Sequence, residues 1–580
     1  MSGTSSSRSD DAGRGRLLWP VVGGGVVLVQ AAVLAWIAFP APHTGGDHTG
    51  YLALGHALAE GMGYIELWDP ERPVHTKYPP GFPMVLALLM LLGATTWSAF
   101  KLSSAVAVSA ATLLAFAWTA RRVGPLPAGA LAVLLVLAGG WQDASRWILS
   151  EPWFLVWTFL ALWAGERGLQ ERETASSGSR AETVWLALGG LSALMAFGVR
   201  TAGLPLVLAF GLALLWAGRR RAAALFGGVT ALVVGGWMLH TARGGEGAYQ
   251  DEFWLVDPYT PELGTVTVPG LLGRIWDNLV LYVGRVLPGE WWPGAPTWLL
   301  LVGGLVLAGL ALWGWASEVR SRPGPAELFL PLYAGMILLW PQVWSGDRFL
   351  LPLLPLVLLY AGTVVAGVAR EVENRLRWKG GALPGLAIAT GLVALAGPAI
   401  PATLQKAEVA GACRTQVEIT GDAFSCYGAG FAEFRAAASW MAAALPDDAV
   451  LLSRKPRIAY ALGAPPGRTF PFVRDPEGFL ARADEIGARY LLFDRVDAVA
   501  GRYLPGVLEG RPRAFCYIGG WGGGPQEPGT DLLGILPPEQ RGEGGDLTDI
   551  QRCPPEWTRE LEAEPTAEGL RVPLLVGGGR

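Results

Sequence analysis

Between residues 17 and 400 the chain repeats one device: runs of about 17–23 apolar residues, nearly free of charge, joined by short polar links. At 1.5 Å per residue each run can cross the roughly 30 Å of a bilayer's hydrocarbon. Backbone groups inside lipid must be satisfied within their own segment, so such runs become helices. Charged residues make up only 16% of the chain, against roughly 25% in soluble proteins, and the deficit lies in this region. The expected fold class is an α-helical polytopic membrane protein. A net charge of −4 leaves no basic footprint for nucleic acid.

The first run, 17–39, is longer than the roughly 7–15 residues of a secretory signal core. It is read as a retained helix behind a tail, residues 1–16, whose Arg8, Arg14 and Arg16 place it in the cytoplasm. The same counting puts a loop at 40–81 outside. Helices near 98–120, 125–141 and from 151 onward then alternate across the membrane, with Arg121 and Arg122 inside. Further helices are expected near 182–199, 202–218, 222–241, 297–316, 326–344, 349–368 and 382–400, with a long external loop at 242–296. Eleven spans satisfy the charge rule. Two short apolar segments, 80–93 and 274–287, would bring the count to thirteen if both crossed. That would move Arg121 and Arg122 outside, and short segments often lie in the interface.

The transmembrane module is thus bounded as 17–401. Residues 402–580 have the composition of a soluble domain. Short apolar stretches at 449–453, 488–494, 514–518 and 532–536 read as buried strands, with helical stretches at 433–444 and 476–486 between them. Such alternation argues for a small α/β domain. "GGWGGG" (519–524) follows a strand but opens no helix, so it reads as a loop and not a nucleotide fingerprint. All four cysteines, Cys413, Cys426, Cys516 and Cys553, fall here. An even count in one polar domain suggests two disulfides in an oxidising compartment. Three pairings are possible, of which near neighbours is the simplest; free thiols are the alternative. The spacing contains no CxxC pair for zinc.

The stretch "GGDHTGYLALGHALAEGMGYIELWDPERPVHTKYPPG" (45–81) stands apart, with three of the five histidines, five carboxylates and the first lysine of the chain. On the expected topology it shares the outer face with Glu151 in "SEPWF", Arg200 in "VRTAG", and Asp347–Arg348 in "WSGDRFLLPLLP". Singly, each has a plain explanation: Ser150–Glu151–Pro152 as a helix start, Arg200 as a headgroup anchor. Together, ionisable groups of both signs at one membrane face point to a site. "SRKPR" (453–457) is read as a basic turn kept in solvent or set against headgroups or a glycan.

The motifs resemble those of the polyprenyl-phosphate-sugar glycosyltransferases of the GT-C fold, the group of the protein O-mannosyltransferases and lipid A aminoarabinose transferases. The pattern there is an acid after the first helix, a tyrosine, a G-x-x-Y and a K-x-PPG-like turn. Here these are Asp47, Tyr51, Gly61 to Tyr64, and Lys77 to Gly81. "SEPWF", "RTAGLPL" and "DRFLLPLLP" follow in matching order, so the resemblance covers about 17–370. His48 stands where the family has a second acid.

The resemblance implies transfer, with inversion, of a sugar from a polyprenyl-phosphate donor to a glycan, lipid or protein acceptor. The site would face the periplasmic side of a bacterial inner membrane. Asp47 is then the expected base, with Glu151 assisting it or binding acceptor. Lys77, Arg200 and Arg348 are the expected holders of the donor phosphate, Arg by bidentate contacts and Lys as a point charge. His48, Tyr51, Tyr64 and Tyr78 would line the substrate. Asp47, Glu151 and His48 also offer ligands for a divalent cation (Mg, Mn or Zn), with His56 and His75 as further nitrogen donors. The rival readings are a transporter or flippase of lipid-linked sugars, and an inactive relative acting as a scaffold. A transporter would carry charges at mid-membrane on interrupted helices.

Overall fold

A computed structural model describes residues 6–174, 179–243, 249–321, 323–376, 383–523 and 529–560. The last residues of the basic link at 370–380, and the C-terminal residues 561–580, lie outside the described residues. Each of the eleven expected spans has a helix in its place. Among the described residues six are long and apolar enough to cross a membrane: Leu18–Ile37, Trp97–Val123, Arg180–Val199, Arg220–Thr241, Thr297–Ser321 and Asp347–Arg375. A seventh is broken: Pro125–Leu137 and Gly139–Arg146 meet at 64°. Two others, Thr201–Trp216 and Pro325–Leu339, fall short of the roughly 20 residues of a full crossing. The segment at 80–93 forms only Gly81–Leu91, about 16 Å long. The segment at 274–287 continues the amphipathic helix Val268–Leu281 into a wide turn at Tyr282–Val286.

The helix Arg220–Thr241 shows why the surroundings must be apolar. Leu225, Val229, Leu232, Val233 and Leu239 are all exposed, a face that hydrocarbon accepts and water does not. Inside the bundle, Trp118, Trp141, Trp291, Tyr333 and Tyr360 are almost fully buried among Phe154, Phe159, Phe197 and Phe210.

The bundle has two charged ends. At one, Arg122 donates to Glu327 at 2.7 Å and to Glu166 at 3.1 Å, with Trp118 and Tyr360 completing the two carboxylates. At the other lies Glu151, on the same helix as Glu166 (Glu151–Thr174) and about 22 Å away along its axis. Arg180–Val199 repeats the pattern: Glu182 meets Arg219 at 2.5 Å near its start, and Arg200 follows its end. Ionisable side chains thus sit at helix ends and pair there, as the cost of burying charge in lipid demands.

Two boundaries differ from expectation. The first helix begins at Ser6, inside the stretch read as a tail. The last helix does not stop at 400 but runs Leu383–Thr420 through Pro398 and Pro401, so the α/β domain starts about twenty residues later than composition suggests.

That domain has five strands: β1 Leu451–Ser453, β2 Gly467–Thr469, β3 Tyr490–Phe493, β4 Phe515–Trp521 and β5 Thr530–Ile535. Their order is β2-β1-β3-β5-β4. β1 is parallel to both β2 and β3, whereas β5 is antiparallel to β3 and β4. β2 has no counterpart among the expected strands, because its GRT sequence lacks an apolar run. β4 extends through Gly519 and Gly520 to Trp521, so the start of "GGWGGG" is strand and not loop. The disulfides join near neighbours, Cys413 to Cys426 and Cys516 to Cys553.

The domain docks on the 45–81 segment. The edge strand β2 would expose unpaired backbone groups; instead Gly467 N–H donates to the Trp68 carbonyl at 2.8 Å, and Arg468 holds Asp69 at 2.8 Å. Tyr503 donates to the Tyr259 carbonyl at 2.8 Å. The chain runs from β1 to β2 on one side and from β2 back past β1 to β3 on the other, so the direction of winding reverses at β1. Crevices at the carboxyl ends of strands at such a switch point are the usual ligand sites of open α/β sheets. Here "SRKPR" leaves β1 at that point and faces the membrane module.

Candidate active site

Asp47 stands in the first turn of the helix Gly46–Ala59, where the helix dipole favours an anion. Its Oδ1 accepts from the Tyr78 hydroxyl at 2.9 Å and its Oδ2 from Arg348 Nη1 at 3.2 Å. Arg348 Nε donates to Glu151 Oε1 at 2.6 Å. The same oxygen lies 2.5 Å from Arg200 Nη1, which also donates to Ser150 Oγ at 2.9 Å. Tyr51 closes the chain through its hydroxyl, 3.2 Å from Ser150 Oγ. Residues far apart in sequence thus share one hydrogen-bonded network.

Exposure divides the network. The side chains of Asp47 and Arg348 are 39% and 41% exposed, while Glu151 is at 2%. Asp47 and Arg348 face open space; Glu151 sits behind them and orients both guanidinium groups. Arg200 is further held over the Phe349 ring.

A second guanidinium, from the α/β domain, stands one hydroxyl away from Asp47. Arg457, in "SRKPR", donates to the Tyr78 hydroxyl at 3.0 Å and stacks over Trp68 with its carbon 4.7 Å from the ring centre. Burial by itself would raise the Asp47 carboxyl. Arg348, then Arg457, then the Tyr78 hydroxyl outweigh it and hold Asp47 well below the usual carboxylate range. The basic turn, expected in solvent or against headgroups or a glycan, therefore lies beside Asp47 and Tyr78, a neighbour that its local pattern does not specify.

The histidines serve the framework. Tyr78 N–H donates to His75 Nε2 at 2.9 Å, so His75 carries its proton on Nδ1, 2.7 Å from Glu66. Burial lowers its pKa, keeping it neutral. His75 thereby fixes the "KYPPG" turn that presents Tyr78. His48 is fully buried and turned away from Asp47, its Nε2 donating to the His43 carbonyl at 2.8 Å. It neither lines open space nor joins Asp47 and Glu151, which are themselves bridged by Arg348. Among the described residues no group of three or more His, Cys, Asp or Glu could hold a metal ion. The expected cation set does not fit: a guanidinium occupies the place between the two carboxylates.

Of the other expected residues, Lys77 contacts both oxygens of Glu252, at 2.7 and 2.8 Å, and lies over Trp344. Tyr64 donates to the Tyr78 carbonyl at 2.8 Å. Tyr51 is 4% exposed and packs on Tyr78 and Phe82. These two tyrosines spend their hydroxyls on protein partners.

The glycine of "KYPPG" has a steric reason. A Cβ on Gly81 would lie 2.5 Å from the Gly198 carbonyl oxygen and 3.0 Å from Val199 N. Both are backbone atoms just before Arg200, and they cannot yield as a flexible side chain does. Gly81→Ala is expected to destabilise the protein by about 1–3 kcal/mol through overpacking, read as a fall in thermal midpoint in nanodiscs. An unchanged midpoint would show that this contact is loose.

No family model and no curated protein matches the chain. Solved structures do. Archaeal oligosaccharyltransferase AglB from Archaeoglobus fulgidus, in complex with an inhibitory peptide and a dolichol-phosphate, matches 81% of this chain and 69% of its own, at 16% identity and TM-score 0.51. The A. fulgidus oligosaccharyltransferase in the apo form matches 88% and 74%, at 15% identity and TM-score 0.52. ArnT from Cupriavidus metallidurans bound to undecaprenyl phosphate matches 90% and 99%, at 13% identity and TM-score 0.47. The likeness to the oligosaccharyltransferase establishes a shared fold, the GT-C fold expected from the sequence motifs.

Proposed function

We propose that the chain is a membrane glycosyltransferase that moves a sugar from a polyprenyl-phosphate donor to an acceptor on the extracytoplasmic side. The observation that carries this reading is Asp47, a partly exposed carboxylate bonded to the Arg348 guanidinium and, through the Tyr78 hydroxyl, linked to a second guanidinium on Arg457. A fold shared with an enzyme solved with a dolichol-phosphate bound supports a lipid-phosphate donor.

In this reaction the acceptor's oxygen or nitrogen attacks the anomeric carbon. The carbon–oxygen bond to phosphate breaks, its electron pair leaves on the phosphate, and the acceptor proton passes to Asp47. Arg348 and Arg457 neutralise the leaving phosphate, with strong charge-assisted hydrogen bonds. Arg200 and Glu151 position Arg348. Lys77 adds positive charge beside the site while held by Glu252. A single displacement inverts the anomeric centre. Disulfides and the count of basic residues both favour a site outside the cytoplasm, in a bacterial inner membrane with the α/β domain in the periplasm.

The test is a reconstituted transfer assay with polyprenyl-phosphate hexose and pentose donors. Arg348→Ala is expected to lower transfer by roughly 10²–10³-fold, the usual cost of losing one transition-state donor. Arg457→Ala should weaken donor binding by about tenfold, as loss of one charged hydrogen bond does. Wild-type protein that consumes none of these donors would overturn the reading. Transfer unaffected by either substitution would remove the phosphate assignment.

A further inference from the structure

A phenolic hydroxyl carries a single hydrogen, and at Tyr78 its direction is settled. Arg457 Nη1 donates into the Tyr78 oxygen at 3.0 Å. A guanidinium accepts nothing, so the Tyr78 hydrogen points the other way, to Asp47 Oδ1 at 2.9 Å. The result is a one-way chain from Arg457 through Tyr78 to Asp47, in which each bond polarises the next.

The ring that carries this hydroxyl is fixed by its surroundings. The Tyr78 N–H donates to His75 Nε2 at 2.9 Å, and its carbonyl accepts from the Tyr64 hydroxyl at 2.8 Å. The Tyr51 ring packs on it with centres 4.7 Å apart. Tyr78 is 6% exposed, so it faces the carboxylate and not open space. Arg457 is seated too, over Trp68 and against Gly50, which follows Asp47 by one turn of the same helix. A Cβ on Gly50 would lie 3.2 Å from Arg457 Cδ and 3.3 Å from Nη1.

The two oxygens of Asp47 therefore differ in kind. Oδ1 is held by a buried hydroxyl whose place is set by backbone and ring contacts. Oδ2 is held at 3.2 Å by Arg348 Nη1, on a side chain that is 41% exposed. When Arg348 turns to a donor phosphate, Oδ2 is released while Oδ1 stays bonded.

We propose that Tyr78 is a positioning residue: it locks the Asp47 carboxylate through Oδ1 and makes Oδ2 the oxygen that takes the acceptor's proton. This rests on Asp47 being the base of the proposed transfer. The acceptor's O–H or N–H bond breaks and its proton joins Oδ2. The electron pair of that bond stays on the acceptor atom, whose bond to the anomeric carbon forms as the bond to phosphate breaks. Tyr78 keeps its own proton throughout.

The other ionisable groups around Asp47 hold one state. Burial lowers His48 well below its ordinary value and His43 to about 4, and raises Tyr51 to about 12, so all three stay neutral. Arg348 and Arg457 stay charged, and Glu151 reaches Asp47 only through Arg348. A pH profile thus reads Asp47.

The full chain in nanodiscs, with polyprenyl-phosphate hexose and pentose donors, serves for the test. Tyr78→Phe keeps the ring and removes the hydroxyl. Its kcat is expected to fall about tenfold, the effect of a base free to turn, with KM for the donor within about threefold. The acid limb of kcat should move up by about one pH unit, because the lost hydrogen bond favours the ionised carboxylate. In an Asp47→Asn background Tyr78→Phe should cost nothing further, since the group it positions is gone. A tyrosine that merely supports the fold would lower transfer in both backgrounds and leave the limb in place. Should Tyr78→Phe not fold, 3-fluorotyrosine at position 78 keeps the shape and donates more strongly, so the limb should move down. If Asp47→Asn alone stays within tenfold of wild type, or wild type consumes no donor, the proposed transfer fails and this role with it. If Asp47→Asn lowers transfer but the limb ignores both changes at Tyr78, or Tyr78→Phe costs as much in the Asp47→Asn background, only the role of Tyr78 is overturned.

Discussion

Asp47→Asn should reduce sugar transfer by roughly 10²–10⁴-fold, the range of a lost general base, with donor affinity retained or improved. The amide keeps the shape of the carboxylate and can still accept from Tyr78, but it cannot take the acceptor's proton. Removing the anion also frees Arg348 Nη1 for the phosphate and lifts the attraction that Asp47 exerts on Arg457. The effect therefore falls on kcat and not on KM. Transfer within tenfold of wild type would exclude Asp47 as the base. The pH profile carries a second signature. In the free protein the guanidinium groups hold Asp47 well below the usual range, so it is ionised throughout the accessible pH. A bound phosphate draws those groups away and lets the pKa rise. The acid limb of kcat, which reports the donor complex, should thus lie at higher pH than that of kcat/KM, which reports the free protein.

Glu151→Ala should cost about 3–5 kcal/mol of stability, because removing one partner of a buried ion pair strands the other. Two cations depend on this carboxylate: Arg348 at 2.6 Å and Arg200 at 2.5 Å, both on a side chain that is 2% exposed. The thermal midpoint in nanodiscs should fall further for Glu151→Ala than for Asp47→Asn, since Asp47 is 39% exposed and solvent can take its place beside Arg348. An unchanged midpoint in Glu151→Ala would show that solvent or lipid headgroups already satisfy both arginines.

What could be read in the sequence follows from what is local. Apolar runs mark a helix at each of the eleven places, and six of these among the described residues, or seven with the broken pair, are long and apolar enough to cross a membrane, since burial in lipid constrains each segment on its own terms. The break after Leu137 was not legible as such. "AGGW" permits it, but what holds it is Glu290, about 150 residues later, which accepts from the Gly139 and Gly140 N–H groups. The gathering of Asp47, Glu151, Arg200 and Arg348 on one face was legible, because topology alone places helix ends. Their roles were less so: Glu151 looks like a second catalytic acid in sequence, and only geometry shows it buried behind Arg348. His48 invited a metal by its place next to Asp47. Adjacent residues on a helix point about 100° apart, and its ring lies with His43 and Trp97. Arg457 was out of reach altogether, for nothing in "SRKPR" records which loop it will meet.

Arg457 carries a consequence for how the protein is made. Asp47 leaves the ribosome early, yet the second guanidinium beside it is in place only after residue 457 has been synthesised and the α/β domain has folded onto Trp68 and Asp69. Nascent and truncated chains therefore carry a half-built cluster, which only the folding of the α/β domain completes.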